Sequence, residues 1–262
     1  MVRMIVMISL CALILCCATL FQDFSAYQKK EFTGSDGTVL PYRILYPQSY
    51  NRNKSYPLII FLHGSGERGD DNEAQLTHGG SLFIQDEVRK KFPAIVVFPQ
   101  CPNRGWWAST ELGSDHIPLN LDFDYSHSIS PTLESAIELT RMLIQKERVD
   151  RTRVYIMGVS MGGMGTFEAV YRFPDLFAAA VPICGGGDVK AYDERVVRVP
   201  FWIFHGSKDD VVDVNNSRTM FARLKQLRAD VKYTEYPGVY HSSWDNAFAE
   251  PGLLPWLFSH HK

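Results

Sequence analysis

The sequence predicts an α/β fold: a mainly parallel sheet with helices on both faces and an antiparallel hairpin at its N-terminal edge. Short apolar runs rich in β-branched or aromatic residues alternate with segments of helical spacing. Most of these runs are apolar throughout, as strands covered on both faces require. The chain has 262 residues, 45% hydrophobic, 13% aromatic and 21% charged, which is ordinary globular composition. Lys and Arg number 27 against 29 Asp and Glu, a net charge of −2 with a pI near 6.4. No basic face is available for a phosphate backbone, so nucleic acid is excluded as an expected partner, and the chain is too apolar to stay disordered.

Taken in order, the elements begin after an export segment. Arg3 is followed by an uncharged apolar run over 4–20, and the first acid is Asp23. This reads as a secretory signal peptide over residues 1–18, cut after Ala18, because the run is shorter than the ~20 residues needed to span hydrocarbon. Lipidation at Cys16 or Cys17 is the alternative, although Leu15 is a poor residue to precede it. The expected location is secreted or periplasmic, free or lipid-anchored. Residues 27–262 are expected to form a single catalytic domain, since no linker, repeat or charge block interrupts them.

Within that region, 31–46 reads as a hairpin around Gly34-Ser35-Asp36-Gly37. Strands are expected at 58–62, 94–98, 154–157, 177–181, 201–204 and 231–236, and helices at 81–91, 130–147, 161–172, 214–228 and 251–260. In the second helix Leu133, Ala136, Ile137, Leu143 and Ile144 share a face that Thr140 interrupts. The stretch 100–129, with Trp106 and Trp107, fits neither pattern and is expected to be a lid or substrate loop. Cys101 and Cys184, each after a strand-like run, read as buried unpaired thiols.

Gly158-Val159-Ser160-Met161-Gly162 stands where a predicted strand gives way to a helix. The pentapeptide alone would arise by chance in roughly one such chain in ten. In this context it describes a tight turn that presents a serine hydroxyl, with glycines keeping side chains out of the crowded bend. A serine nucleophile needs a base and an orienting acid. Asp209, after the strand 201–204, is the candidate acid with Asp210 in reserve, and Asp213 reads as a solvated or helix-capping carboxylate. His241, in the loop after 231–236, is the candidate base, while His205 reads as structural. The backbone N–H of Met161 and of Ser65 in His63-Gly64-Ser65-Gly66 are the candidate donors to an oxyanion. No H-E-x-x-H or H-x-H pattern occurs, so no metal is expected, nor is a cofactor; Asp122 and Asp124 read as a solvated strand edge.

Several segments in one order then carry a family resemblance: His63-Gly64-Ser65-Gly66-Glu67-Arg68-Gly69 with Asp71-Asn72, Pro99-Gln100-Cys101-Pro102, Gly158 to Gly163, Pro182-Ile183-Cys184-Gly185-Gly186-Gly187-Asp188, and His241-Ser242-Ser243-Trp244-Asp245. From about 31 to 258 the chain resembles secreted bacterial α/β-hydrolases of the phospholipase/carboxylesterase, dienelactone-hydrolase-like group, which is similar to feruloyl esterases and polyhydroxybutyrate depolymerases. The resemblance implies an α/β-hydrolase fold with nucleophile, acid and base at Ser160, Asp209 and His241. Tyr240 departs from the small residue more common before the base and is expected to narrow the acyl side. Serine at 160 departs from the cysteine of true dienelactone hydrolases. Residues 103–128 match least and are the expected seat of specificity.

The expected activity is cleavage of carboxylic esters through an acyl-enzyme, on an acyl or feruloyl ester of a small molecule or polysaccharide. Glu67, Arg68, Trp106, Trp107 and Trp244 are the candidate substrate contacts, with at least one of Trp106 and Trp107 equally able to pack in the core. The rival readings are a prolyl-oligopeptidase-like peptidase, an acyltransferase, and a catalytically silent binding protein. The peptidase is disfavoured because no repeat domain is expected ahead of the hydrolase unit to screen substrates, and the silent reading would be expected to lack one of the three residues.

Overall fold

The structure is a computed structural model in which residues 23–112 and 117–262 are described; the export segment expected over 1–18 lies outside them. Strand β1 (Gln28–Thr33) turns at Gly37, whose φ of 88° suits glycine, into β2 (Val39–Leu45). The two pair antiparallel from Gln28 opposite Ile44 to Thr33 opposite Val39, so the expected hairpin forms and starts three residues early. The chain continues through β3 (Tyr56–Leu62), α1 (Gly80–Ile84), α2 (Asp86–Lys91), β4 (Ile95–Pro99), β5 (Thr110–Leu112), β6 (Leu121–Phe123) and α3 (Pro131–Lys146). Next come β7 (Val149–Val159), α4 (Met161–Arg172), β8 (Ala179–Ile183), β9 (Phe201–Gly206), α5 (Asn215–Gln226), β10 (Val231–Tyr236), α6 (Trp244–Phe248) and α7 (Leu253–Ser259).

Eight strands form one sheet in the order β1-β2-β4-β3-β7-β8-β9-β10. The six from β4 to β10 in that order are parallel, and β2 joins β4 antiparallel. This is the α/β-hydrolase architecture. Alternation along the strands divides the core in two. Leu58, Ile60, Leu62, Val154 and Ile156 pack with Leu133, Ile137 and Phe167 on one face. Ile59, Phe61, Tyr155, Met157 and Val159 pack with Phe83, Leu253 and Leu257 on the other. Helix α3 starts as its sequence dictates, with Pro131 in the first turn and Ser130 Oγ accepting Leu133 N–H at 3.1 Å.

The structure revises several of the expected segments. The helix over 81–91 breaks at Gln85, which is extended at ψ 132°. On a continuous helix Val88 would lie about 140° round from Phe83; the break lets both join the same core cluster. Strand β7 extends back to Val149 through polar residues, and β8 begins two residues later than the apolar run. The helix over 251–260 contracts to α7, with α6 formed separately before it. The stretch 100–129 contains the antiparallel pair β5–β6, and it is tied to α4: Ser109 donates to Glu168, and Arg172 donates to Glu168 at 2.6 Å and to His127 O at 2.8 Å. Cys101 and Cys184 are free and buried. Among the described residues, no helix is long and apolar enough to cross a membrane.

Candidate active site

Ser160 occupies the turn between β7 and α4 with φ 54° and ψ −118°, a strained backbone for a non-glycine residue that costs ~1–3 kcal/mol. A Cβ on Gly162 would lie 1.9 Å from Leu62 O, and one on Gly158 would lie 2.2 Å from Gly162 O. The turn therefore closes only with glycine at both positions. It is held by Ser160 N–H donating to Ile183 O at 2.9 Å.

Asp209 follows β9, and its Oδ1 accepts the Val211 and Val212 N–H groups at 2.9 Å each. Oδ2 faces His241 Nδ1 at 2.8 Å and His205 Nε2 at 3.0 Å, with the carboxylate fully buried. Burial by itself raises such a carboxyl, but the hydrogen bonds from His205, His241 and Val212 together outweigh it and hold Asp209 well below the usual carboxylate range. It is thus an ionised acceptor at neutral pH. The reserve candidate Asp210 is exposed, and Asp213 Oδ1 accepts Asn215 N–H at 2.7 Å at the start of α5.

His241 Nε2 lies 2.9 Å from Ser160 Oγ. With Nδ1 donating to Asp209, the neutral ring presents Nε2 as an acceptor to the serine hydroxyl. A serine so placed can lose its proton to the ring as its oxygen attacks a carbonyl. Cys184, buried beneath the turn, has a ligand atom within 4.8 Å of ligand atoms on Asp209 and His241. The hydrogen bond between those two residues accounts for that grouping, and burial pushes the Cys184 thiol up, away from the thiolate a metal would need.

The loop after β3 approaches the serine from the other side. A Cβ built on Gly64 would sit 3.7 Å from Ser160 Cβ, and Ser65 opens the short turn Ser65–Glu67. Met161 begins α4, where the first N–H groups have no carbonyl one turn earlier. His63 anchors the loop. Its Nε2 accepts Cys101 N–H at 2.9 Å, so Nδ1 carries the hydrogen and donates to Gly64 O at 2.6 Å. Burial pushes His63 down to about 4, which keeps it neutral.

A pocket of about 210 Å³ opens over these groups, walled by the 64–67 loop, His78, Val159, Ser160, His241 and Trp244. A larger groove of about 620 Å³, beside Lys54, Arg89 and Arg153, lies away from the serine. Of the candidate substrate contacts, Glu67 and Trp244 line the serine pocket. Trp107 does not: it is fully buried, its indole N–H donates to His63 O at 3.0 Å, and it packs against Gly165 of α4. The expectation that Trp107 touches substrate is therefore corrected, because α4 and the core cover the ring and its N–H is used in seating the 63–64 loop. Trp106 and Arg68 stack with the guanidinium 5.5 Å from the ring, outside the pocket wall. Tyr240 is exposed and also absent from that wall. His78 was missed by sequence reasoning; its ring lies tilted against Trp244 with centroids 4.6 Å apart, and no local pattern marks it.

The phospholipase/carboxylesterase family model matches residues 49–250. The chain belongs to this family and is, by class, a carboxylic ester hydrolase. It is similar to carboxylesterase SOBER1 of Arabidopsis thaliana, 23% identical over 70% of this chain and 82% of the relative. The bifunctional acetylxylan esterase/xylanase XynS20E of Neocallimastix patriciarum is 36% identical over 80% of this chain, which spans only 27% of that protein. A thermostable esterase of known crystal structure superposes with a TM-score of 0.82 at 35% identity, covering 90% of this chain; the match spans 64% of the esterase's own length.

Proposed function

We propose that this chain is a secreted serine esterase acting on acyl esters of carbohydrate. Ser160 Oγ attacks the ester carbonyl while His241 Nε2 takes its proton, and the same ring returns that proton to the departing alcohol. Water then attacks the acyl-serine with His241 again as base, releasing the acid and restoring the hydroxyl. Asp209 holds the ring and stabilises its charge, and the N–H groups of Met161 and Ser65 receive the oxyanion. Residues 27–262 act as one catalytic unit after removal of 1–18.

The observation that carries this reading is the continuous hydrogen-bond path from Ser160 Oγ through His241 to Asp209, at 2.9 and 2.8 Å, opening on a pocket beside the 64–67 loop. A bifunctional acetylxylan esterase/xylanase among the relatives, and Trp244 in the pocket wall, support a sugar ester. The test is Ser160→Ala assayed on p-nitrophenyl acetate and on acetylated xylan, methyl ferulate and a peptide amide. Turnover of the responsive esters should fall by about four to six decades with the melting temperature nearly unchanged. Near-wild-type turnover would reject the assignment, and preference for the amide would reject the esterase reading.

A further inference from the structure

Glu67 stands in the wall of the Ser160 pocket with one carboxylate oxygen left over. Its Oε1 lies 3.5 Å from His78 Nε2, while Oε2 is buried without a hydrogen-bond partner in a residue only 9% exposed. A buried carboxylate oxygen that no protein group satisfies is costly, and because the residue lines the pocket and the carboxylate torsion of Glu is soft, a small turn of the group presents that oxygen to a substrate donor. The neighbouring cation does not neutralise it. Arg68 Nε donates to Ser65 O at 3.0 Å and its guanidinium lies over Trp106.

Position gives this acceptor a direction. The point where a Cβ on Gly64 would sit is 3.0 Å from Glu67 Oε2 and 3.7 Å from Ser160 Cβ, so the carboxylate and the serine both face the side of Gly64 that lacks a side chain. Beyond His78 in the same wall, Trp244 is edge-on to His241 at 5.3 Å and tilted against His78 at 4.6 Å. The alcohol half of an ester leaves by taking a proton from His241 Nε2, which puts it in the space that Trp244 and Glu67 enclose.

Resting on the reading of Ser160 and His241 above, we infer that Glu67 Oε2 and the Trp244 ring form a subsite for the alcohol half of the substrate. Oε2 accepts a hydrogen bond from a hydroxyl beside the esterified oxygen, so the preferred class is monoesters of vicinal diols, as a partly acylated sugar presents. A quaternary ammonium alcohol would find charge and an aromatic face here, but it has no N–H or O–H to satisfy a directed acceptor.

The test compares a monoacetylated methyl xyloside with its analogue deoxygenated at the hydroxyl beside the ester, with acetylcholine as a third substrate. Wild type should favour the hydroxylated ester by about 10- to 100-fold in kcat/KM. Glu67→Ala should collapse that ratio toward one, and Glu67→Gln, which keeps the shape and a weaker acceptor, should leave an intermediate ratio. Melting curves check folding, and if the alanine variant is unstable the glutamine variant alone reads the ratio. A wild-type ratio near one, equal losses on both sugar esters, or a preference for acetylcholine that depends on Glu67 would overturn the subsite. Ser160→Ala separates the two levels: if it is inactive while the ratio ignores Glu67, the subsite alone fails, whereas an active variant removes the reading on which it rests.

Discussion

His205 Nε2 lies 3.0 Å from Asp209 Oδ2, the same oxygen that faces His241 Nδ1 at 2.8 Å. That nitrogen also faces Val212 O at 3.0 Å, and since both neighbours are acceptors it must carry a hydrogen. His205 is itself held by Ser217 Oγ at 2.7 Å, so a buried, anchored ring holds the same carboxylate oxygen that His241 faces. His205 is fully buried, and on the proposed mechanism it would position Asp209 without meeting substrate.

Replacing His205 with Ala should therefore lower kcat by about 10²-fold through misplacement of Asp209 and His241 while KM changes little. Steady-state kinetics on p-nitrophenyl acetate give the split. A rise in KM with unchanged kcat would contradict a positioning role.

Asp209→Asn should reduce turnover by about 10⁴-fold, because an amide favours the wrong tautomer of His241. Asp210→Asn should change it by less than a factor of about three, since that side chain is exposed and away from the ring. Parallel rate measurements on the two purified variants decide between adjacent acids, and a reversed order would transfer the role to Asp210.

The two adjacent tryptophans should behave differently. Trp107→Ala removes a fully buried ring and its hydrogen bond to His63 O, and should cost ~3–5 kcal/mol of stability. Trp106, half-buried against Arg68, should cost about 1–2 kcal/mol. Denaturant titrations read both values, and equal losses would contradict the placement of Trp107 in the core.

Acid should weaken the fold through His63. Folding lowers this ring from 6.5 to about 4, so between those values the unfolded chain binds a proton that the folded chain does not. Stability from this residue is complete above pH 6.5 and falls as pH drops toward 4, by about 3 kcal/mol in total. Urea unfolding at pH 7 and pH 4.5 should show the drop, and His63→Gln, less stable at pH 7, should show a smaller one. An unchanged pH slope in the variant would assign the acid sensitivity to other groups.

Much of this molecule is legible in local pattern. Strand alternation and helical spacing depend on neighbours along the chain, so the apolar runs at 58–62, 94–98 and 201–204 and the helix capped by Ser130 and Pro131 could be placed by period and capping alone. The glycines around Ser160 mark a close backbone approach in any context, and the order of Ser160, Asp209 and His241 at strand ends follows from a parallel sheet that gathers those ends on one edge. Boundaries were less legible. Polar residues at 150–153 hid the start of β7, and the break at Gln85 exists because Val88 and Phe92 have to turn back to the core.

Other features depend on residues distant in sequence. Trp106 and Trp107 are adjacent and chemically identical, yet one fills the space under His63 and the other lies outside with Arg68, because neighbours on α4 and the 63–64 loop decide which ring is covered. Glu67, His78 and Trp244 come from three separate segments and share one wall once β3 and β10 lie in the same sheet. His205 lies four residues before Asp209, but its role depends on Ser217 and Val212 holding the ring in place. Sequence supplies periodicity, turn chemistry and the identity of reactive groups, since each acts over a few residues. Which side chains are buried and which pair up is settled only by packing, because burial depends on what the rest of the chain places against them.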